Sequence, residues 1–311
     1  MKRICVIGGS GFVGTKLINS LDSNGANNKI YLADINTKDS NNYLNIDVTD
    51  PDSFSCISDK DIDVIINLAA VHRDDVKPIS KYDDVNVGGA VNVCNAARKN
   101  RINTIIFTSS VAIYGFAPAG TNELGEPNYF NDYGRTKYLA EQVYKEWQSE
   151  DKDKRKLVII RPTVIFGEGN RGNVYNLLKQ IASRRFVMFG NGTNKKSMAY
   201  IGNFVAFLES CLLNNYSYRL ANYVDTPDMT MNELVSIVRS RLKGKDGVGF
   251  RLPYWLGLFL GSIADIISAI FRTQLPISFI RVKKFVSSTE FKSAKNEFNS
   301  FEAPYPLSVG I

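Results

Sequence analysis

The chain has 311 residues, 44% of them hydrophobic and 22% charged, with a formal net charge of +7. That size and balance exclude a disordered chain and a small disulfide-stapled domain, and leave room for a large core with a second lobe. Lysines and arginines are dispersed, so the charge suits a phosphorylated substrate or simple solubility and supplies no nucleic-acid motif.

The first element is a short buried strand over 3–7, carried by Ile4-Cys5-Val6-Ile7. The apolar run ahead of Gly8 is too short for a signal peptide. Gly8-Gly9-Ser10-Gly11-Phe12-Val13-Gly14 follows, and Thr15 to Leu21 reads as a helix. Glycines at 8, 11 and 14 between a strand and a helix form a dinucleotide fingerprint. They permit a tight turn, close approach of backbone to a pyrophosphate, and close packing of helix on strand. The helix N-terminus offers free N–H groups to the phosphates. A second strand over 29–33 closes on Asp34, at the position where an acid accepts from the adenosine ribose hydroxyls. A carboxylate there repels a 2′-phosphate, which favours NAD, with NADP kept as the alternative.

Asp47-Val48 after Asn45-Ile46 reads as a strand end. Further strands are expected at 63–67, 104–108 and 157–161, with helical periodicity from Val85 to Lys99 and from Tyr133 to Gln148. Such alternation argues for an α/β fold, a doubly wound parallel sheet with helices on both faces. The strand Thr104-Ile105-Ile106-Phe107 runs into Thr108-Ser109-Ser110. Ligands bind at the carboxyl ends of such strands, so Ser110 lies where Tyr133 can arrive. Tyr133 and Lys137 are four apart on one helix face, and an ammonium close to a phenol lowers the phenol pKa toward that of a general base. Asp151 to Lys156 is a charge run, expected as a solvated loop ahead of a buried strand.

Beyond Gly167, Asn173 to Ile181 reads as a helix and Phe186 to Phe189 as a strand ending in Gly190-Asn191-Gly192. Tyr254 to Phe271 is strongly apolar and approaches the roughly 20 residues needed to cross a bilayer. Pro253, Gly257 and Gly261 break its first half and Asp265 falls inside it. Buried or substrate-lobe helices are therefore the leading expectation, a peripheral membrane or partner-binding patch the alternative, and a transmembrane span is not expected. Four cysteines, Cys5, Cys56, Cys94 and Cys211, show no metal-ligand spacing. They read as reduced thiols of a cytoplasmic protein, and no metal is expected.

Taken together these pieces resemble the extended short-chain dehydrogenase/reductase family, in its nucleotide-sugar epimerase/dehydratase branch. The matching segments are the glycine triplet, Asp34, Asp47-Val48, Asn67-Leu68-Ala69-Ala70, Asn86-Val87, Ser110, Tyr133-x-x-x-Lys137 and Arg161-Pro162-Thr163-Val164-Ile165-Phe166-Gly167. The resemblance implies a Rossmann domain over 1–166, to which the chain returns near 193–225. It implies a smaller substrate-binding lobe from 167–192 and 226–311. Gly8, Gly11, Phe12, Val13, Gly14 and Asp34 would hold the cofactor, Asp47 and Val48 would flank the adenine, and Leu68, Ala69, Ala70 and Asn86 would line the groove. Pro162 and Val164 would sit near the nicotinamide. Asn176, Lys196 and Arg281 are the expected substrate contacts. Lys196 stands in a stretch where relatives commonly carry an Arg and an Asp, and for Arg281 an exposed basic face is the competing reading.

By the same resemblance, Tyr133 moves a proton at a sugar hydroxyl while the nicotinamide exchanges a hydride at that carbon. Lys137 holds the cofactor ribose and Ser110 hydrogen-bonds the reacting oxygen. The implied activity is NAD(P)-dependent oxidoreduction at C4 of a UDP-linked sugar, by a 4-epimerase or 4-keto-reductase, for surface polysaccharide (O-antigen) precursors. The 4,6-dehydratases carry Thr-Asp-Glu from the position of Ser110, whereas Val111 and Ala112 follow here and cannot move protons. His72-Arg73-Asp74-Asp75-Val76 resembles the O-antigen branch and leans toward a reductase, while Asp34 leans toward an epimerase. His72 itself reads as a loop residue. A membrane-attached steroid- or lipid-alcohol dehydrogenase and a non-catalytic NAD-binding regulator stay open. The intact Ser110, Tyr133 and Lys137 argue against the regulator. Helices near 84–99 and 133–148 are expected side by side, and the resemblance implies a homodimer through them, with Ala140 at the bundle centre.

Overall fold

The computed structural model describes residues 1–24, 27–36, 42–73, 76–214, 216–271, 273, 275, 277–293 and 301–311. Its first six strands are β1 (Arg3–Ile7), β2 (Lys29–Asp34), β3 (Tyr43–Asn45), β4 (Val64–Asn67), β5 (Thr104–Thr108) and β6 (Lys156–Pro162). Short strands β7 (Val164–Phe166), β8 (Met188–Phe189), β9 (Lys195–Lys196) and β10 (Met198–Tyr200) follow, then β11 (Tyr218–Tyr223), β12 (Met229–Thr230) and β13 (Arg251–Leu252). The helices are α1 (Phe12–Ser23), α2 (Ser80–Tyr82), α3 (Gly89–Lys99), α4 (Asp132–Ser149), α5 (Asn173–Ala182), α6 (Ile201–Leu213), α7 (Met231–Lys243), α8 (Tyr254–Phe271) and α9 (Phe279–Val286).

Seven strands form one parallel sheet in the order β11-β6-β5-β4-β1-β2-β3. The fold is the α/β, doubly wound parallel sheet that the sequence led us to expect. Strands covered on both faces need apolar side chains on both, which is why β1, β4 and β5 read as unbroken apolar runs. β3 was not expected; three residues are too few to carry a period. The chain winds outward from β1 through β2 and β3, then crosses to β4. The order therefore reverses between β1 and β4, and the crevice at their carboxyl ends is where open parallel sheets take ligands.

The chain divides into two compact units. The first comprises Met1–Ile165, Ala199–Val224 and Phe291–Tyr305. There α3 and α4 cover one face of the sheet, with Ala90, Val93, Cys94, Ala97, Ala140, Tyr144 and Trp147 packed on Cys5, Ile7, Ile65, Ile105 and Ile159. α1 packs against α6. The stretch Phe291–Tyr305 has no counterpart in the sequence reading; the Phe291 ring lies 5.8 Å from that of Tyr114.

Two expectations about the α3–α4 face change. The helix expected over Val85 to Lys99 opens with a π-helical turn, Asp83–Gly88, which turns Asn86 inward. Ala140 is 0% exposed within a single chain, inside the core cluster rather than at the centre of a bundle between chains.

The second unit comprises Phe166–Met198, Asp225–Glu290 and Pro306–Ile311. α5 packs against α7, whose N-terminus carries a capping box from Thr230 and Glu233. α8 packs against α9. The glycines expected to break α8 do not. Gly257 faces the Phe189 ring, which a Cβ would approach to 2.6 Å, and Gly261 faces the Phe279 backbone, at 2.7 Å. They are the contact face of a continuous helix. The expectation of burial also fails, since only 17% of α8 is buried. Among the described residues it is the one helix long and apolar enough to cross a membrane.

Candidate active site

β1 delivers the chain into the switch-point crevice, and Gly8 turns it with φ +78°. A Cβ on Gly8 would lie 2.8 Å from Ala69 N, so only glycine fits between the two strand ends. Gly8 and Gly9 donate to Ala33 O, at 2.9 and 3.1 Å, and Gly11 donates to Gly8 O. A Cβ on Gly14 would lie 2.5 Å from Gly8 O, which explains how α1 seats against the turn. The N-cap, Gly11, supplies no side chain, and the first turn of α1 holds no acid. The N–H groups of Phe12, Val13 and Gly14 are therefore left to an anion.

Asp34 closes β2 and is half-buried. Its Oδ2 accepts from Ser10 N at 2.9 Å, and its Oδ1 from the backbone and side chain of Asn36 at 3.3 Å. Lone-pair capacity remains on the carboxylate for a hydroxyl donor. Ser10 Oγ is buried with no hydrogen-bond partner. The orphaned hydroxyl, the uncapped helix and the glycine cradle fit a dinucleotide pyrophosphate with its adenosine ribose on Asp34.

Of the other residues named for the cofactor, most fall at the carboxyl ends of the parallel strands. Leu68, Ala69 and Ala70 follow β4 and are half-buried; Leu68 N donates to Ile7 O and Ala69 N to the Asn67 side chain. Asp47 is exposed and accepts from Thr49 at 2.9 and 2.8 Å, while Val48 is buried beneath Gly89. Asn86 accepts from Val71 N at 2.9 Å and donates to Thr136 Oγ1 at 2.9 Å, so its amide positions backbone. Pro162 is buried at the end of β6, and Val164 is 39% exposed.

Ser110, Tyr133 and Lys137 converge beyond β5. Ser110 caps a short 3₁₀ turn, its Oγ accepting from Ala112 N at 3.1 Å. α4 starts on Asn131, whose side chain accepts from Gly134 N at 2.9 Å. Gly134 leaves no room for a Cβ against Ala112 O, and that close approach carries Tyr133 to Ser110. The Ser110 hydroxyl lies beside the Tyr133 phenol and favours its ionised form.

The electrostatics differ from the expected pairing of ammonium and phenol. Lys137 is buried, and its Nζ donates to Thr108 O at 2.7 Å and lies 4.6 Å from the centre of the Phe107 ring. Burial pushes the ammonium down to about 7, opposed by the Glu141 carboxylate. Burial pushes the Tyr133 phenol up, and the neighbouring Ser110 hydroxyl opposes it.

Beneath this trio is a network the sequence reading did not assign. Glu141 is 0% exposed, accepts from Ser109 Oγ at 2.6 Å and pairs with Arg161. Arg161 also donates to the Tyr114 hydroxyl at 2.6 Å, which donates to Asn222 Oδ1 at 2.8 Å. One signal was available. Glu141 continues the four-residue spacing of Tyr133 and Lys137 and shares their helix face.

The expected substrate contacts lie in the second unit. Asn176 is exposed on α5. Lys196 is half-buried, and its Nζ donates to Lys284 O, at 2.9 Å, and to Ser287 O. It satisfies carbonyls at the end of α9, and burial lowers its pKa to about 8. Arg281 is exposed and donates to Leu275 O at 2.8 Å. His72 and Arg73 are exposed; Asp74 and Asp75 lie outside the described residues. Among the described residues no cluster of three or more His, Cys, Asp or Glu could hold a metal.

Comparison with known proteins gives the same picture by a separate route. Residues 4–219 match the NAD dependent epimerase/dehydratase family. The chain is 45% identical, over 99% of its length and 93% of the relative's, to the N-acetyl-alpha-D-glucosaminyl-diphospho-ditrans,octacis-undecaprenol 4-epimerase of Escherichia coli O157:H7. It is 28% identical to a putative UDP-glucose 4-epimerase of Methanocaldococcus jannaschii, over 80% of this chain and 83% of that one. The crystal structure of UDP-N-acetylglucosamine 4-epimerase from Bacillus cereus superposes with a TM-score of 0.76 at 16% identity, covering 100% of this chain and 96% of that one. At that identity the likeness is one of fold.

Proposed function

The chain belongs to the NAD dependent epimerase/dehydratase family and is an NAD-dependent enzyme; on that premise we propose that it inverts C4 of an N-acetylhexosamine carried on a polyprenyl diphosphate. The observation that carries this reading is the 45% identity, across nearly all of both chains, with an undecaprenol-linked 4-epimerase. A UDP-linked sugar, the carrier expected from the sequence, is the second reading, favoured by the Methanocaldococcus relative. Both carriers present a pyranose on a diphosphate, so the chemistry at C4 is common to them. The wider reading is a cytoplasmic homodimer that supplies surface polysaccharide precursors.

The Gly8–Gly14 turn, Ser10 and Asp34 would hold NAD, which would supply the hydride acceptor and donor for C4. As the phenolate, Tyr133 would accept the C4 hydroxyl proton as the hydride leaves, becoming the neutral phenol, and would give the proton back when the hydride arrives on the opposite face of the sugar. Ser110, beside Tyr133, would hold the same oxygen and stabilise charge that develops on it. Lys137 keeps one donor on Thr108 O and has further donors for the nicotinamide ribose. Hydride and proton both return, so each turnover is redox-neutral. Val111 and Ala112 offer no acid for eliminating water, which fits epimerisation rather than dehydration.

The experiment is incubation with undecaprenyl-diphospho-N-acetylglucosamine and, separately, UDP-N-acetylglucosamine, without added reductant, with products identified by mass and NMR. Epimerisation of the lipid-linked sugar is expected. Turnover of the UDP-sugar alone establishes the second reading. No turnover of either sugar, together with NADH- or NADPH-dependent reduction of a 4-keto-sugar, overturns both in favour of a 4-keto-reductase.

A further inference from the structure

We infer that α8, together with the first turn of α9, is a docking surface for an anionic phospholipid bilayer, with α8 lying in the plane of the headgroups. The inference rests on the polyprenyl-linked substrate reading and adds how the enzyme reaches it.

α8 turns little of itself inward. Its buried residues are Gly257, Gly261 and Ala264, the small side that meets Phe189 and α9. Trp255, Phe259, Ile266, Ile270 and Phe271 are 68, 58, 60, 68 and 69% exposed. A soluble chain rarely leaves so many large apolar side chains together in water, and such a patch marks a surface that is covered. α9 extends it, since Phe279 and Ile280 in its first turn are 41 and 47% exposed.

Two features select a bilayer surface over a crossing. Asp265, the acid inside the apolar run, accepts from Phe279 N at 3.0 Å and so ties α8 to the start of α9. α9 then carries Arg281, Lys283 and Lys284 in eight residues with no acid, while α8 has no basic residue at all. A helix clamped along its small face to a basic neighbour cannot enter the hydrocarbon without dragging those cations in. Laid flat, it sinks its apolar face among the acyl chains and keeps the cations level with anionic headgroups. Trp255 suits that boundary, having an apolar body and one polar N–H. Docking would confine the enzyme to the surface in which a polyprenyl-anchored sugar diffuses.

The test is sedimentation of the full chain with phosphatidylglycerol/phosphatidylcholine vesicles and with phosphatidylcholine vesicles. Ile266→Glu combined with Ile270→Glu, and Lys283→Gln, are compared with the parent. These side chains are exposed, and an unchanged unfolding midpoint with unchanged NAD binding shows that the fold is kept. Wild type is expected on the anionic vesicles, and alkaline carbonate is expected to release it. The double variant should bind about tenfold or more weakly. Lys283→Gln should bind about fivefold more weakly at low salt. Wild type left in the supernatant, equal binding by the double variant, or resistance to carbonate extraction each overturns the inference. So does lipid-free self-association that the double variant abolishes and vesicles do not reverse, because a second copy would then be the occupant. Turnover of the lipid-linked sugar in detergent without vesicle binding sinks the docking and leaves the substrate reading standing. Vesicle binding without that turnover does the reverse.

Discussion

Arg161 grips Glu141 through both carboxylate oxygens, at 2.8 and 2.5 Å, and the two side chains are 4 and 0% exposed. Glu141 lies on the same face of α4 as Tyr133 and Lys137, and its pairing with Arg161 ties that helix to β6. Glu141→Ala would strand a buried guanidinium, which costs about 3–5 kcal/mol. Urea unfolding should show that loss. Glu141→Met with Arg161→Met should cost less than the sum of the single changes, because no charge is left unpaired. Strict additivity would mean that the two residues act independently.

Tyr133→Phe should leave the unfolding midpoint and NAD binding close to wild type while turnover drops about 10²–10⁴-fold, the usual contribution of a positioned proton-transfer group. Steady-state turnover on the proven substrate is the measurement. Near wild-type turnover would remove Tyr133 from the chemistry.

Lys137→Met should abolish efficient turnover and stabilise the fold. The Lys137 ammonium titrates near 7 in the folded chain, against an ordinary 10.5. Because the folded value is the lower one, the unfolded chain binds more protons between those limits, and wild-type stability rises with pH across that window. The advantage of Lys137→Met should be constant below about pH 7 and shrink from there toward pH 10.5. Urea midpoints for both proteins across that range decide it. A gap independent of pH would show that the ammonium is not desolvated.

Asp34 should make NAD bind more tightly than NADP, because a carboxylate that accepts from ribose hydroxyls repels a phosphate at the same place. Asp34→Ser should narrow the difference. Calorimetry with both cofactors measures it. Equal affinities in wild type would mean that the bonds from Ser10 and Asn36 consume the carboxylate's whole acceptor capacity.

For assembly, the informative position is Val91 on α3, which is 40% exposed, and not Ala140, where a charge would enter the core and unfold the chain. Val91→Glu should convert a homodimer to monomers in sedimentation velocity with the unfolding transition retained. A wild-type monomer at micromolar concentration would remove the dimer without touching the chemistry.

The amino-acid sequence alone determined five of the seven strands of the sheet and the glycine turn, because both follow from local rules. A parallel strand buried on both faces must be an unbroken apolar run, as in Ile4-Cys5-Val6-Ile7, and a tight turn against a helix N-terminus must be glycine. The spacing of Tyr133 and Lys137 was likewise legible, since four residues are one turn of helix. What the side chains then do was decided in three dimensions. Glu141 and Arg161 stand twenty residues apart and meet only because α4 packs on β6. Lys137 faces the Thr108 carbonyl and the Phe107 ring, and Lys196 caps α9, because a flexible ammonium stem goes to whichever acceptors the fold presents. α8 was the hardest to read. A segment apolar on nearly every side has no period to tell inside from outside, and Gly257 and Gly261 look like breaks until Phe189 and Phe279 are seen packed against them. Only the tertiary structure shows that its small residues face the protein and its large ones face away.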